Sequence, residues 1–130
     1  MPEMTWLWVA FGSAIGGVGR YWTGSALALR YGDSFPWGTL MVNVVGSLLI
    51  GLIATLALPE GRLLMDSTTR QFLMIGVLGG FTTFSSFSLQ SLTLMQDGEW
   101  VAAGAYVLGS VFLCLLGVWL GQLLGVTLNR

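Results

Sequence analysis

The chain contains no histidine and no lysine, and only one cysteine, Cys114, which sits in an apolar run. No disulfide framework or thiolate–imidazole metal cluster can be assembled from it. Charge is also scarce: 8% of the 130 residues are charged, against about 25% in a soluble domain. The five basic residues are all arginines and form no patch for a nucleic-acid backbone. No general base, nucleophile–base pair or metal cluster stands out, which speaks against an enzyme. The opening residues Met-Pro-Glu-Met-Thr-Trp lack the basic region of a secretory leader, so the first apolar segment is expected to be retained.

What fills the chain instead is apolar sequence, 55% hydrophobic with mean hydropathy +0.80. This is the composition of an integral membrane protein, read as all-α and as one transmembrane domain. Crossing a hydrocarbon core of about 30 Å takes about 20 apolar residues in a helix. Four segments are predicted, over about 5–31, 37–58, 69–95 and 99–128, joined by short turns that make neighbours antiparallel. Ser34 is a candidate cap for the second helix and Asp66 or Ser67 for the third.

The third segment carries Gly79-Gly80-Phe81-Thr82-Thr83-Phe84-Ser85-Ser86-Phe87-Ser88. Paired glycines weaken a helix by about 1 kcal/mol each relative to alanine, and consecutive hydroxyl residues offer the backbone competing hydrogen bonds. A break in the helix is predicted here. Within a bilayer a break is tolerated only where protein or a water-filled path satisfies the freed backbone groups. Glycines at positions 12, 16, 17, 19 and 24, and the series Gly117, Gly121 and Gly125, predict close helix contacts, within the chain or between copies.

All six carboxylates, at 3, 33, 60, 66, 97 and 99, fall in predicted ends or loops. Proton-coupled and cation-exporting transporters place one inside the membrane. The one charge inside a predicted span is Arg20, which either snorkels toward the Asp33 side or stands at the mouth of a water-filled path and gathers anions. Polar stripes recur on three helices: Thr39, Asn43 and Ser47; Tyr106, Ser110 and Cys114; Thr82, Ser85 and Ser88. Each could be interhelical glue or backbone-bonded hydroxyls, and together they could line a narrow path. Phenylalanine rings have a positive edge, so edges turned to such a path favour anions. Four helices in one chain pack too tightly to enclose a pore, so a symmetric assembly is expected. Arg62, Arg70 and Arg130 fall on one predicted side and Arg30, with Arg20 near it, on the other, a bias too small to fix one insertion direction.

Two motifs together, Pro36-Trp37-Gly38-Thr39-Leu40-x-x-Asn43-x-x-Gly46 and the Gly79–Ser88 stretch, closely resemble the bacterial fluoride channels of the Fluc or CrcB family. The resemblance spans the whole chain and includes Arg20 and Ser110. It implies an antiparallel, dual-topology homodimer in the bacterial inner membrane, surrounded by lipid, that exports fluoride passively through two separate pathways. It implies that Phe84 and Phe87 coordinate fluoride, that Phe81 stands outside that role, and that Asn43 is the pore amide. Arg20 would lie at a vestibule, with Tyr106, Ser110, Thr39 and Ser88 on the polar pathway. It further implies a structural sodium ion at the dimer centre, held by the backbone carbonyls of Gly79 and Thr82. Cys114 falls where a serine-like residue is expected, leaving open how far the polar track runs. Two other readings stand beside this one: a small multidrug-resistance-type exporter, which would need a glutamate that the first helix lacks, and a non-conducting membrane scaffold.

Overall fold

The structure is a computed structural model that describes residues 4–130, so Glu3 lies outside the described residues. The described chain is all-helical: α1 (Thr5–Tyr31), α2 (Trp37–Leu56), α3 (Ser67–Gln71), a π-helical stretch (Phe72–Leu78), α4 (Gly79–Phe81), α5 (Phe84–Gln96) and α6 (Trp100–Asn129). Three runs are long and apolar enough to cross a membrane: Trp37–Leu56, Ser67–Gln96 and Trp100–Asn129. With 27 residues α1 is as long, roughly 40 Å at 1.5 Å per residue. Its glycines, Arg20, Tyr21 and Trp22 hold its hydropathy below that of the other three. The five described carboxylates, Asp33, Glu60, Asp66, Asp97 and Glu99, all lie between helices.

The helix ends follow from local chemistry. Ser34 does not cap α2: Pro36 occupies that position without a side-chain bond, and its carbonyl accepts from Leu40 N–H at 3.2 Å. Having no N–H itself, proline suits a helix start. The second helix stops at Leu56, short of the predicted 58. Its end is closed from outside: Leu63 N–H reaches Leu56 O at 3.0 Å, and Asn129 Nδ2 donates to Thr55 O at 3.1 Å while its Oδ1 accepts from Arg62 N–H at 2.9 Å. Carbonyls that the last helical turn leaves orphaned are thereby paired. Asp66 caps α3 by accepting Thr69 N–H at 3.3 Å, which sets the helix start at Ser67. Thr69, through its side chain first and its backbone N–H as well, holds the Asp66 carboxyl below the usual carboxylate range. The turn after α5 pairs Glu99 N–H with Leu94 O and Gly98 N–H with Met95 O, with Gly98 left-handed at φ 77°.

Two parallel helix pairs form the body of the chain. In one, α6 lies on α2: a Cβ on Gly121 would collide with the Leu48 carbonyl, and one on Gly51 with the Val118 carbonyl. In the other, α1 lies on the π-helical stretch and α4, where a Cβ on Gly16 would strike the Val77 carbonyl and one on Gly80 would come within 2.6 Å of Ser13 O. The series on α6, and Gly12 and Gly16 on α1, therefore serve close contacts within the chain, while Gly17 meets nothing within 4 Å. Gly121→Ala is expected to force α2 and α6 apart, at a cost of about 1–3 kcal/mol or more. Gly104→Ala on the same helix meets nothing within 4 Å and should be neutral. Thermal unfolding of the two variants in detergent checks this, and equal midpoints would refute it.

Candidate functional site

Thr82 and Thr83 are the two residues between α4 and α5 that leave helical geometry, with ψ at 160° and 118°. Thr82 still closes the turn before it, bonding Leu78 O through both its N–H and its hydroxyl at 3.0 Å. Thr83 turns its backbone to α2. Its N–H donates to Asn43 Oδ1 at 2.8 Å and its carbonyl accepts from Asn43 Nδ2 at 3.0 Å. One amide side chain thus satisfies both backbone groups of an extended residue inside an apolar segment. The Thr83 hydroxyl caps α5 by accepting Ser86 N–H at 3.2 Å.

The interruption also redirects carbonyls. Thr83 N–H, which a continuous helix would give to Gly79 O, goes to Asn43 instead. Gly80 O accepts from Arg20 Nε at 3.1 Å, so the guanidinium of the first helix is turned onto the backbone of α4. No ion pair joins Arg20 to a carboxylate among the described residues.

Beside this clasp a cavity of about 470 Å³ opens, lined on its polar side by Asn43, Ser47, Thr82, Thr83, Ser110 and Cys114, and on its apolar side by Phe84 and Phe87 among others. The two rings sit 5.3 Å apart at 49°, and Phe87 leans on Tyr106 at 5.1 Å. They differ sharply in burial: Phe87 is 8% exposed and Phe84 76%. The Phe81 ring lies outside the cavity, against the Gly19 and Gly46 backbones. Ser110 is buried, and its hydroxyl has no hydrogen-bond partner among the described residues.

The remaining candidates lie elsewhere. Thr39 lines a second cavity of about 720 Å³ with Gln90, Asp33, Asp97 and Glu99. Tyr106 is buried and donates to Gln90 Oε1 at 2.8 Å, joining the neighbourhoods of the two cavities. Ser88 is exposed and bonds back to Phe84 O at 3.0 Å. Arg20 borders neither cavity.

Residues 7–122 match the family model described as "CrcB-like protein, Camphor Resistance (CrcB)". The chain belongs to the CrcB family. Relatives of this CrcB chain include a protein of Opitutus terrae, 58% identical over 95% of this chain and 94% of its own length. Another from Paramagnetospirillum magneticum is 55% identical over 98% of this chain and 99% of its own length. A third from Rhodospirillum rubrum is 53% identical over 98% of each. All three bear the name "Fluoride-specific ion channel FluC".

In this CrcB chain the polar groups that sequence reasoning missed are Thr83 and Gln90. Thr83 had a readable signal, a hydroxyl residue three positions before Ser86 at the start of a helical run. Gln90 had a weaker one, an amide inside an apolar segment, where amides need partners. A cation would find suitable donors at the interruption. Gly79 and Thr82 both line the cavity, and the Gly79 carbonyl has lost its helical N–H partner. Carbonyl oxygen suits a hard monovalent ion, and unwound helix carbonyls bind such ions in membranes. Two carbonyls from one chain leave most of its coordination shell to be supplied from elsewhere.

Proposed function

We propose that this protein is a fluoride channel that lets the anion leave the bacterial cell passively and relieves its toxicity. The carrying observation is close similarity, over nearly the whole chain, to relatives named for fluoride-specific conduction. The chemistry of the site agrees with an anion. Donor groups and the Phe84 and Phe87 rings border the cavity beside the Asn43 clasp, and every described carboxylate lies outside the helices. Passage past Phe84 and Phe87 replaces part of fluoride's hydration with positive ring edges and with hydroxyl and amide donors. Asn43 holds the interrupted backbone with one amide N–H and keeps the second for the anion. Ser110 offers a hydroxyl with no internal partner, Tyr106 and Thr39 continue the track, and Ser88 and Arg20 belong to its approaches. The deciding assay is efflux from liposomes loaded with potassium fluoride or potassium chloride: rapid fluoride release without chloride release is expected, and equal release of both would overturn the reading.

The active form is a homodimer of four-span chains in opposite orientations, with α1 as the additional span. Phe84 lines the cavity and is largely exposed, so a second chain packed on this face would close the path. The same pairing would bring a second pair of Gly79 and Thr82 carbonyls to a sodium ion at the centre, which supplies a fixed positive charge where no carboxylate is needed. Dual orientation in the inner membrane is supported by the near-even arginines, three against two. A reporter fused to the C-terminus is expected on both sides of that membrane, and removal of Arg30 should shift the ratio. Exclusive cytoplasmic signal would sink dual topology.

A further inference from the structure

The helix that carries Phe84 and Phe87 is seated differently from the others. Backbone contacts at glycine lock α2 to α6, and α1 to the π-helical stretch and α4. The α5 helix has no glycine, and none of those close contacts involves it. Asn43 fixes the backbone of Thr83 just before it. Beyond that point the helix is seated by its buried side chains, Phe87, Ser91 and Leu94. Phe87 leans on Tyr106 at 5.1 Å. Tyr106, 1% exposed, has a second ring against it: Phe35, at 5.4 Å and 80°, an edge-to-face pair. Phe35 packs in turn on Trp37 at 4.6 Å. Rings therefore run without a gap from the turn between α1 and α2, through Tyr106 and Phe87, to Phe84. The outer end of this series is rigid. Pro36 is the centre of an inverse γ-turn, with φ −81° and ψ 64°, closed by Trp37 N–H donating to Phe35 O at 2.9 Å. A proline also restricts the residue before it to extended backbone, so Phe35 has little freedom to move off Tyr106.

We propose that Phe35 is a positioning residue for conduction: braced by the Pro36 turn, it holds the Tyr106 ring and through it sets where Phe87 presents its edge to the anion. The inference rests on the fluoride-channel reading, and it adds a residue that does not line the cavity beside the Asn43 clasp. Tyr106 is held from two directions, by Phe35 at its ring and by Gln90 at its hydroxyl, at 2.8 Å. Without the ring at 35, Tyr106 can pivot on that one hydrogen bond, and Phe87 follows the ring it leans on. Binding groups need to be held to within about 0.5 Å by the packing around them. An aliphatic side chain at 35 fills space and cannot make the edge-to-face pair. The requirement is therefore for a flat ring and not for apolar volume alone.

The test measures fluoride efflux from liposomes for the full-length parent, Phe35→Leu, Phe35→Tyr and Met95→Ala, with unfolding temperature in detergent and elution in size exclusion. Met95 packs against the same cluster as Phe35 and is no part of the ring series, so it reports what lost packing does by itself. Phe35→Leu is expected to lower efflux about ten-fold, the size of one lost ring pair, while eluting like the parent. Phe35→Tyr keeps the ring and should stay within about three-fold of the parent. Met95→Ala should unfold at a lower temperature and still conduct within about two-fold of the parent. Parent-like efflux through a well-assembled Phe35→Leu overturns the proposal. So does a loss in Phe35→Tyr equal to that in Phe35→Leu, or efflux that falls in step with unfolding temperature across all the variants. If Phe35→Leu fails to assemble, Phe35→Met, unbranched and adaptable, takes its place. Failure of both makes Phe35 a folding residue and overturns the proposal as well. A parent that releases no fluoride sinks the channel reading itself, which separates that failure from one confined to Phe35.

Discussion

Fluoride flux through Asn43→Asp is expected to fall below detection, while Asn43→Ser keeps a measurable fraction. The amide does two things at once. Its oxygen accepts Thr83 N–H at 2.8 Å and its nitrogen donates to Thr83 O at 3.0 Å. Aspartate keeps the acceptor and loses both N–H groups. Its carboxylate would face the Thr83 carbonyl, lone pair to lone pair, and place negative charge beside an anion path. A charge at mid-bilayer costs about 2.5 kcal/mol or more, so part of the effect is on folding. Serine separates the contributions. It is neutral and can donate one hydrogen bond, but it is too short to span both Thr83 groups. Liposome efflux with elution profiles from size exclusion reads both consequences. Parent-like flux through a well-assembled aspartate variant would reduce Asn43 to a structural clasp.

The clasp also marks where the sequence stops being legible. An amide in an apolar helix announces that it needs a partner, and Asn43 stood out for that reason. Its partner is the backbone of a residue 40 positions away, and backbone groups carry no signature in a sequence. The hydroxyl series Thr82, Ser85 and Ser88 assumes a helical spacing through the interruption. Thr82 and Thr83 are extended, so the angular count restarts at Phe84. Residues before and after no longer share the assumed face: Thr82 lines the cavity and Ser88 does not. The glycines fared differently. Their four-residue spacing on α6 was readable as a contact stripe, because the requirement for a bare Cα is local. That the stripe meets α2, and not a second copy, depends on the pairing of distant helices. Arg20 shows the same limit from another side. Weighing a charge against a bilayer suggested snorkelling or a watery mouth, and the structure adds the Gly80 carbonyl as its hydrogen-bond acceptor.

Phe84→Ile and Phe87→Ile should each remove most fluoride flux, and their folding should respond unequally. An aromatic ring in a path acts through its positive edge, which isoleucine lacks, so both variants lose the anion's partner. Stability depends on what surrounds each ring. Phe87 is 8% exposed within the cluster of Leu94, Ala103 and Tyr106. Replacing it leaves a gap beside Tyr106, with a loss of about 1–2 kcal/mol for the missing volume. Phe84 is 76% exposed in the single chain. Its replacement leaves the chain's own fold unchanged, and in the proposed dimer any weakening appears in assembly. Phe81→Ile is the control: that ring packs against Gly19 and Gly46, away from the cavity, so the variant loses packing area and conducts nearly as the parent does. The measurements are fluoride efflux from liposomes, unfolding temperature in detergent, and dimer fraction by size exclusion. Phe84→Ile is the decisive variant, because its ring contributes least to the chain's own core. If it assembles as a dimer and still conducts like the parent, the exposed ring faces lipid or the partner and not fluoride.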